Sequence, residues 1–254
     1  MILAVDIGNS NIVLGCFDEN EILFEDRLST DRDSTVLEYA VIIKTSLEMH
    51  HLEYEQITGA IISSVVPSVT ENVQQAIFRL IGQQAMVVSP GMKTGLNILL
   101  DDPKQLGSDR VADAVGAIGE YPCPLIIVDM GTATTISVID GQKNFMGGMI
   151  IPGLQVSLDS LANRTSQLPH ISLEAPKKVI GTNTVDCMKS GIIYSTAGSI
   201  DGAIERIEEE LGETCTVVST GGHARKIIPY CHHEILIDPH LLLKGLMTIY
   251  KKNL

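Results

Sequence analysis

Three aspartates stand out by what surrounds them. Asp6 ends the apolar run Ile2 to Val5 and precedes Gly8, Asn9, Ser10 and Asn11, while Asp129 ends the run Leu125 to Val128 and precedes Gly131 and Thr132. Asp109 lies between Gly107-Ser108 and Arg110. A carboxylate at the end of a buried strand is costly to desolvate unless a metal ion or hydrogen-bond donors compensate. The small residues beside Asp6 and Asp129 leave room for phosphate oxygens to approach backbone N–H and hydroxyl groups. The two elements are 123 positions apart, nearly half the chain, and Val5/Val128 and Gly8/Gly131 keep that offset. Either alone reads equally well as a turn that closes a hairpin. Two lobes that each present such a turn would hold the two ends of one polyphosphate chain.

Phosphoryl transfer needs a metal to neutralise the phosphates, donors around the transferred group and a carboxylate near the attacking hydroxyl. Asp6 suits Mg²⁺, directly or through water, with Gly8, Asn9, Ser10 and Asn11 lining the phosphates. Read locally, Asp109 also fits a helix N-cap beside a surface arginine. Arg110 offers a forked geometry for a substrate carboxylate.

The elements that must position these groups alternate. Apolar runs delivering Asp6 and Asp129 into further strands ("IVLGCF", "TISVID") read as hairpins. "EILFEDRLST", "ITGAIISSVVP" and "AMVVSP" read as strands and "STVLEYAVIIKTSLEMHH" and "VTENVQQAIFRLIG" as helices, with Thr70 before Glu71, and Pro67 further upstream, as a start signal. Then follow a helix "RVADAVGAI", a strand near "MGGMIIPG", helices over 154–162 and 190–211, a strand "CTVVSTGG" and a last helix over 239–250. The expected fold class is α/β, with mixed sheets flanked by helices in two lobes, 1–118 and 119–254, the boundary falling in "VADAVGAIGEYPCP".

Composition excludes several classes. A formal charge of −13 disfavours nucleic-acid backbone binding. No stretch is long enough to span a bilayer, and "MILAVDIG" lacks the basic and apolar regions of a secretory signal, so a cytoplasmic location is expected. The five cysteines form no CxxC pair and read as buried free thiols. His50, His51, His232, His233 and His240 lack a zinc pattern and read as solvated surface residues.

Taken in order, "DIGNSNIVLG", "LGSDRVAD", "VDMGTATT", "GGMIIPG" and "VVSTGGHA" resemble the motifs of the type III pantothenate kinases, within the actin-like superfamily of acetate and sugar kinases. The resemblance spans essentially the whole chain. It implies two duplicated actin-like, ribonuclease H-like lobes with a nucleotide cleft between them, and an ATP-dependent transferase that phosphorylates pantothenate at the first step of coenzyme A biosynthesis. Asp109 would be the general base. Asp6, Gly8, Asn9, Ser10, Asn11, Gly131, Thr132, Gly221 and Gly222 would bind the nucleotide and its Mg²⁺, and Gly107, Ser108 and Arg110 the substrate. Asp129 would help hold a monovalent cation, K⁺ or NH₄⁺. Thr184 resembles a threonine that a partner subunit adds to the pantothenate site, which implies a homodimer. Leu100 stands where many members carry a substrate-contacting tyrosine, and a leucine donates no hydroxyl hydrogen bond. The alternatives are a non-enzymatic transcriptional regulator of the Bvg accessory factor type, or another small-molecule kinase or phosphatase of the superfamily.

Overall fold

The computed structural model describes residues 1–19 and 21–254. Its contacts gather into two compact units. One comprises Met1–Leu96, Asp101–Gly119 and Leu241–Leu254, the other Asn97–Leu100 and Glu120–His240. The lobes drawn at 118/119 in the sequence therefore differ by two exchanged segments, a short strand and the C-terminal helix.

In the first unit β1 (Ile2–Ile7), β2 (Asn11–Asp18) and β3 (Glu21–Ser29) form an antiparallel meander. β4 (Gly59–Ser64) joins β1 in parallel and β5 (Met86–Val87) joins β4, giving the order β3-β2-β1-β4-β5. Strand periodicity sorts the side chains. Leu3, Val5 and Ile7 pack under α1 (Val36–Met49) and α2 (Pro67–Ile81). Ala4 and Ile61 pack on the other face, against Val111 and Val115 of α3 (Ser108–Glu120) and Leu246 and Ile249 of α7 (Leu241–Lys252). Asp6, two residues beyond Ala4, shares the face that holds α3.

Local chemistry starts and stops these helices. Thr35 and Glu38 form a capping box for α1, with Glu38 Oε2 accepting the Thr35 N–H at 2.6 Å. α2 begins at Pro67, the upstream residue of the expected start signal, because proline's fixed φ and missing N–H suit the first helical position. It stops at Gly82, whose φ of +71° is a left-handed cap.

The second unit repeats the plan. β7 (Leu125–Met130), β8 (Ala133–Ile139) and β9 (Asn144–Pro152) form the meander, β10 (Thr216–Thr220) joins β7 in parallel, and β11 (Leu236–Ile237) joins β10. β6 (Asn97–Ile98) adds an edge strand parallel to β9, so the order is β11-β10-β7-β8-β9-β6. Ile126, Val128 and Met130 pack with Leu154 and Leu158 of α4 (Leu154–Arg164) and with Ile193, Ile200 and Ile204 of α5 (Thr184–Leu211). α5 starts six residues before the expected Ser190 because Asn183 Oδ1 accepts the Asp186 N–H at 2.9 Å. A short α6 (Ala224–Ile227) follows β10. The two-residue strands β6 and β11 were not expected, since neither carries a pattern of its own.

The thiols and histidines divide. Burial pushes Cys16 and Cys215 up to about 11 and Cys231 up to about 12, as expected of inert thiols, whereas Cys187 is exposed. The exposed His50 and the half-buried His233 each gain an aspartate partner. His50 stacks on Phe24 with centroids 4.3 Å apart and places Nε2 3.1 Å from both Asp26 oxygens. His233 Nδ1 lies 2.9 Å from Asp201 Oδ1, and Asp201 also accepts the His232 and His233 backbone N–H groups.

Where α3 crosses α7, a Cβ on Gly245 would run into the Ala112 carbonyl, and one on Gly116 into the Leu241 carbonyl. Gly245→Ala should cost about 1–3 kcal/mol by overpacking, read as a lowered Tm; an unchanged Tm would show that α7 can back away. Burial raises the Asp201 carboxyl, but the bonds from the His232 N–H and from His233 outweigh it and hold it below the ordinary aspartate range. The stabilisation is therefore full above that range and lost as pH falls through the depressed value. Asp201→Asn should cost about 2 kcal/mol at neutral pH, and acid titration of Tm should bring variant and wild type together.

Candidate active site

In the first unit the turn after β1 is closed by the Gly8 N–H donating to the Asn11 carbonyl at 2.9 Å. Thr30 supports it from β3's end: its hydroxyl donates to the Gly8 carbonyl at 2.6 Å and its N–H to the Ser10 carbonyl at 3.0 Å. Arg32 Nη2 donates to Asn9 Oδ1 at 3.3 Å. Asn9, Ser10 and Asn11 are exposed and Asp6 half-buried. This arrangement leaves polar groups facing outward from a braced loop, as phosphate binding requires. Thr30 and Arg32 were not singled out in the sequence, because their role depends on the pairing of β3 with β2.

Asp109 occupies the first turn of α3. Its Oδ1 accepts the Arg110 N–H at 2.8 Å. The same oxygen lies where a Cβ on Gly107 would stand, so Gly107 makes room for the carboxylate. Burial pulls the Arg110 guanidinium down from its ordinary value, against the opposing effect of Asp109 and Asp113. Arginine stays protonated even so, and a half-buried cation is suited to a carboxylate partner. Ser108 turns its hydroxyl to β4, 3.1 Å from Ser63 Oγ and 3.0 Å from the Ser64 N. Asp6, Gly8 to Asn11, Ser108 and Asp109 are thus tied to one end of one sheet: Asp6 is in register with Ser63 across the β1/β4 pair.

In the second unit Asp129 is in register with Thr135 and Thr220. Gly221, at φ +87°, approaches so closely that a Cβ there would meet Asp129 Oδ1 and, at 2.6 Å, the Met130 N. Only glycine tolerates both the angle and the approach. The His223 N–H donates to the Met130 carbonyl at 3.2 Å, fixing the "GGHA" turn against the end of β7. Across the hairpin, Gly131 N–H donates to Ala133 O at 3.0 Å, and a Cβ on Gly153 would meet the Gly131 carbonyl at 2.6 Å and the Thr132 carbonyl closer still. Asp129, Gly131, Thr132 and Gly221 are therefore gathered at one point, with Gly222 and Thr132 exposed. Gly153 is an addition to the expected set, and the "GGMIIPG" motif signalled it. Leu100 follows β6 and lies 3.6 Å from the position of a Cβ on Gly147. Thr184, exposed, opens α5.

Among the described residues no group of three or more His, Cys, Asp or Glu side chains forms a metal cage. Mg²⁺ held by one carboxylate together with substrate phosphates needs none, and the half-buried Asp6 beside the exposed Asn9, Ser10 and Asn11 fits that mode.

The model of the type III pantothenate kinase family matches residues 2–206. The chain is 43% identical over 253 residues to a type III pantothenate kinase of Exiguobacterium sibiricum, covering all of both chains. It is 42% identical over 253 residues to one from another Exiguobacterium strain, covering all of this chain and 99% of that one. Among solved structures it resembles a protein described as a Baf family transcriptional activator of Campylobacter jejuni (TM-score 0.61, 21% identity, 99% and 98% coverage). It also resembles (R)-2-hydroxyglutaryl-CoA dehydratase component A of Acidaminococcus fermentans (TM-score 0.61, 16% identity, 98% and 96% coverage). At these identities the structural likeness shows the fold, two actin-like α/β lobes. With the full-length sequence match, the chain belongs to the type III pantothenate kinase family.

Proposed function

We propose that the protein transfers the γ-phosphoryl group of ATP to the primary hydroxyl of pantothenate, the first step of coenzyme A biosynthesis. The observation that carries the reading is the placement of Asp6 and Asp109 at one end of one sheet, in a chain that matches pantothenate kinases over its full length. The regulator alternative is not favoured: the likeness to a Baf family protein, at 21% identity, speaks to fold alone.

Magnesium bound with ATP would neutralise phosphate charge, with Asp6 holding it directly or through water. The amides and side chains of Gly8, Asn9, Ser10 and Asn11 then orient the phosphates. Asp109 accepts the proton of the attacking hydroxyl. Its Oδ1 accepts the Arg110 N–H, and each carboxylate oxygen still has a lone pair for that proton. Arg110 and the Gly107 backbone face the substrate, with the guanidinium on the pantothenate carboxylate. Leu100 contributes apolar contact in place of a hydroxyl.

In the second unit Gly131, Thr132, Gly221 and Gly222 belong to the nucleotide. Asp129, beside the Gly131 and Gly221 backbones, offers a carboxylate to K⁺ or NH₄⁺. Thr184 acts on pantothenate across a homodimer, supported by its exposed place at the start of α5.

ADP release should require pantothenate and be faster in potassium than in sodium buffer. Hydrolysis of ATP without pantothenate, or no turnover in either buffer, would overturn the reading. Asp109→Asn should keep the fold and lower kcat roughly 10²- to 10⁴-fold; near wild-type turnover would remove Asp109 as the base.

A further inference from the structure

β4 is longer than the neighbour that covers it. β5 ends at Val87, and the last ladder bond on that side runs from the Val88 N–H to the Ile62 carbonyl at 2.8 Å. On the opposite side Val65 N–H donates to the Ile7 carbonyl at 3.0 Å. Backbone groups alternate sides along a strand, so the Ser64 N–H and C=O point to the β5 side, where no strand remains. Backbone groups left without a partner are costly when water is excluded. Ser108 Oγ answers both, accepting the Ser64 N–H at 3.0 Å and donating to the Ser64 carbonyl at 3.0 Å. Its single proton is spent there. In the 3.1 Å contact with Ser63 Oγ, the donor is therefore Ser63, which is fully buried.

We propose that the Ser108 hydroxyl is a positioning group for Asp109, a one-residue extension of the sheet that sets the base relative to Asp6, and not a contact to pantothenate. The inference rests on the kinase reading above. Ser108 immediately precedes the base, and Ser63, to which it is bonded, is in register with Asp6. A second tether holds the same strand end: Ser64 Oγ accepts the Val66 N–H at 3.0 Å and lies 2.7 Å from Thr70 Oγ1 of α2. The carboxylate is then confined by Gly107 on one side and the Arg110 N–H on the other. The Ser108 hydroxyl thus joins α3 to β4, the strand paired with β1, and the Ser64 hydroxyl ties the same strand end to α2.

The test compares Ser108→Ala and Ser108→Thr in the wild-type and Asp109→Asn backgrounds, measuring kcat, KM for pantothenate and for ATP, and Tm. Displacing a reacting group by part of an ångström costs rate rather than affinity. Ser108→Ala should therefore lower kcat roughly 10- to 100-fold, with both KM values within about two-fold of wild type. Ser108→Thr, which keeps the hydroxyl, should restore most of the rate. In the Asp109→Asn background Ser108→Ala should change the residual rate little, because the two act as a unit. Unchanged kcat, a raised pantothenate KM with kcat kept, or an additive loss beside Asp109→Asn would each overturn the proposal. Should Ser108→Ala not fold, Ser63→Ala removes one bond to the node while leaving the Ser64 ladder capped; it should show the same kcat-only loss, smaller in size, and a normal kcat would overturn the proposal. Absence of pantothenate turnover by the wild type would instead overturn the kinase reading, and the inference with it.

Discussion

Helices α3 and α7 meet backbone against backbone, Gly116 facing the Leu241 carbonyl and Gly245 the Ala112 carbonyl. Interiors are close-packed, so a contact without side chains between the two helices fixes both. α7 in turn fills the first sheet's face: Leu243 packs over Gly15, and Tyr250 over Gly59. A side chain at either glycine would lift the helix. Since α3 carries Asp109 in its first turn, the place of that carboxylate depends on α7. The same packing accounts for α7's membership of the first unit.

The two units share strand order, strand sense and a hydroxyl residue, Ser63 or Thr220, opposite the aspartate on the parallel neighbour. What differs is the material around each carboxylate. Beside Asp6 lies a turn braced by Thr30 and Arg32, with exposed Asn9, Ser10 and Asn11. Around Asp129 lie glycine backbones from two separate segments, at Gly131 and Gly221.

The helix ends show where local chemistry was sufficient and where it was overridden. Of the residues in the start signal Pro67 begins α2, while the Thr70 hydroxyl is engaged by the strand end at Ser64 and by the Val66 carbonyl. A polar residue ahead of an acidic one is a cap only if nothing else claims it. His50 and His233 follow the same rule. His50 stays exposed and His233 is half-buried, and Asp26 and Asp201, 24 and 32 positions away in the chain, bind them.

By itself the sequence determined the meander strands, the main helices, the half-chain repeat and the identity of the three aspartates, because alternation, turn residues and short motifs are local signals. It did not reveal the strands β6 and β11, the exchange of α7 into the first unit, or the neighbours of each carboxylate. Those depend on contacts between residues far apart in the chain: Ser63 with Ser108, Asp129 with Gly221, and Ala112 with Gly245. Such pairs carry no local pattern, since each partner is chosen by the space and the unpaired groups that the rest of the fold leaves for it. The tertiary structure alone decided that the Ser108 hydroxyl beside Asp109 completes a sheet.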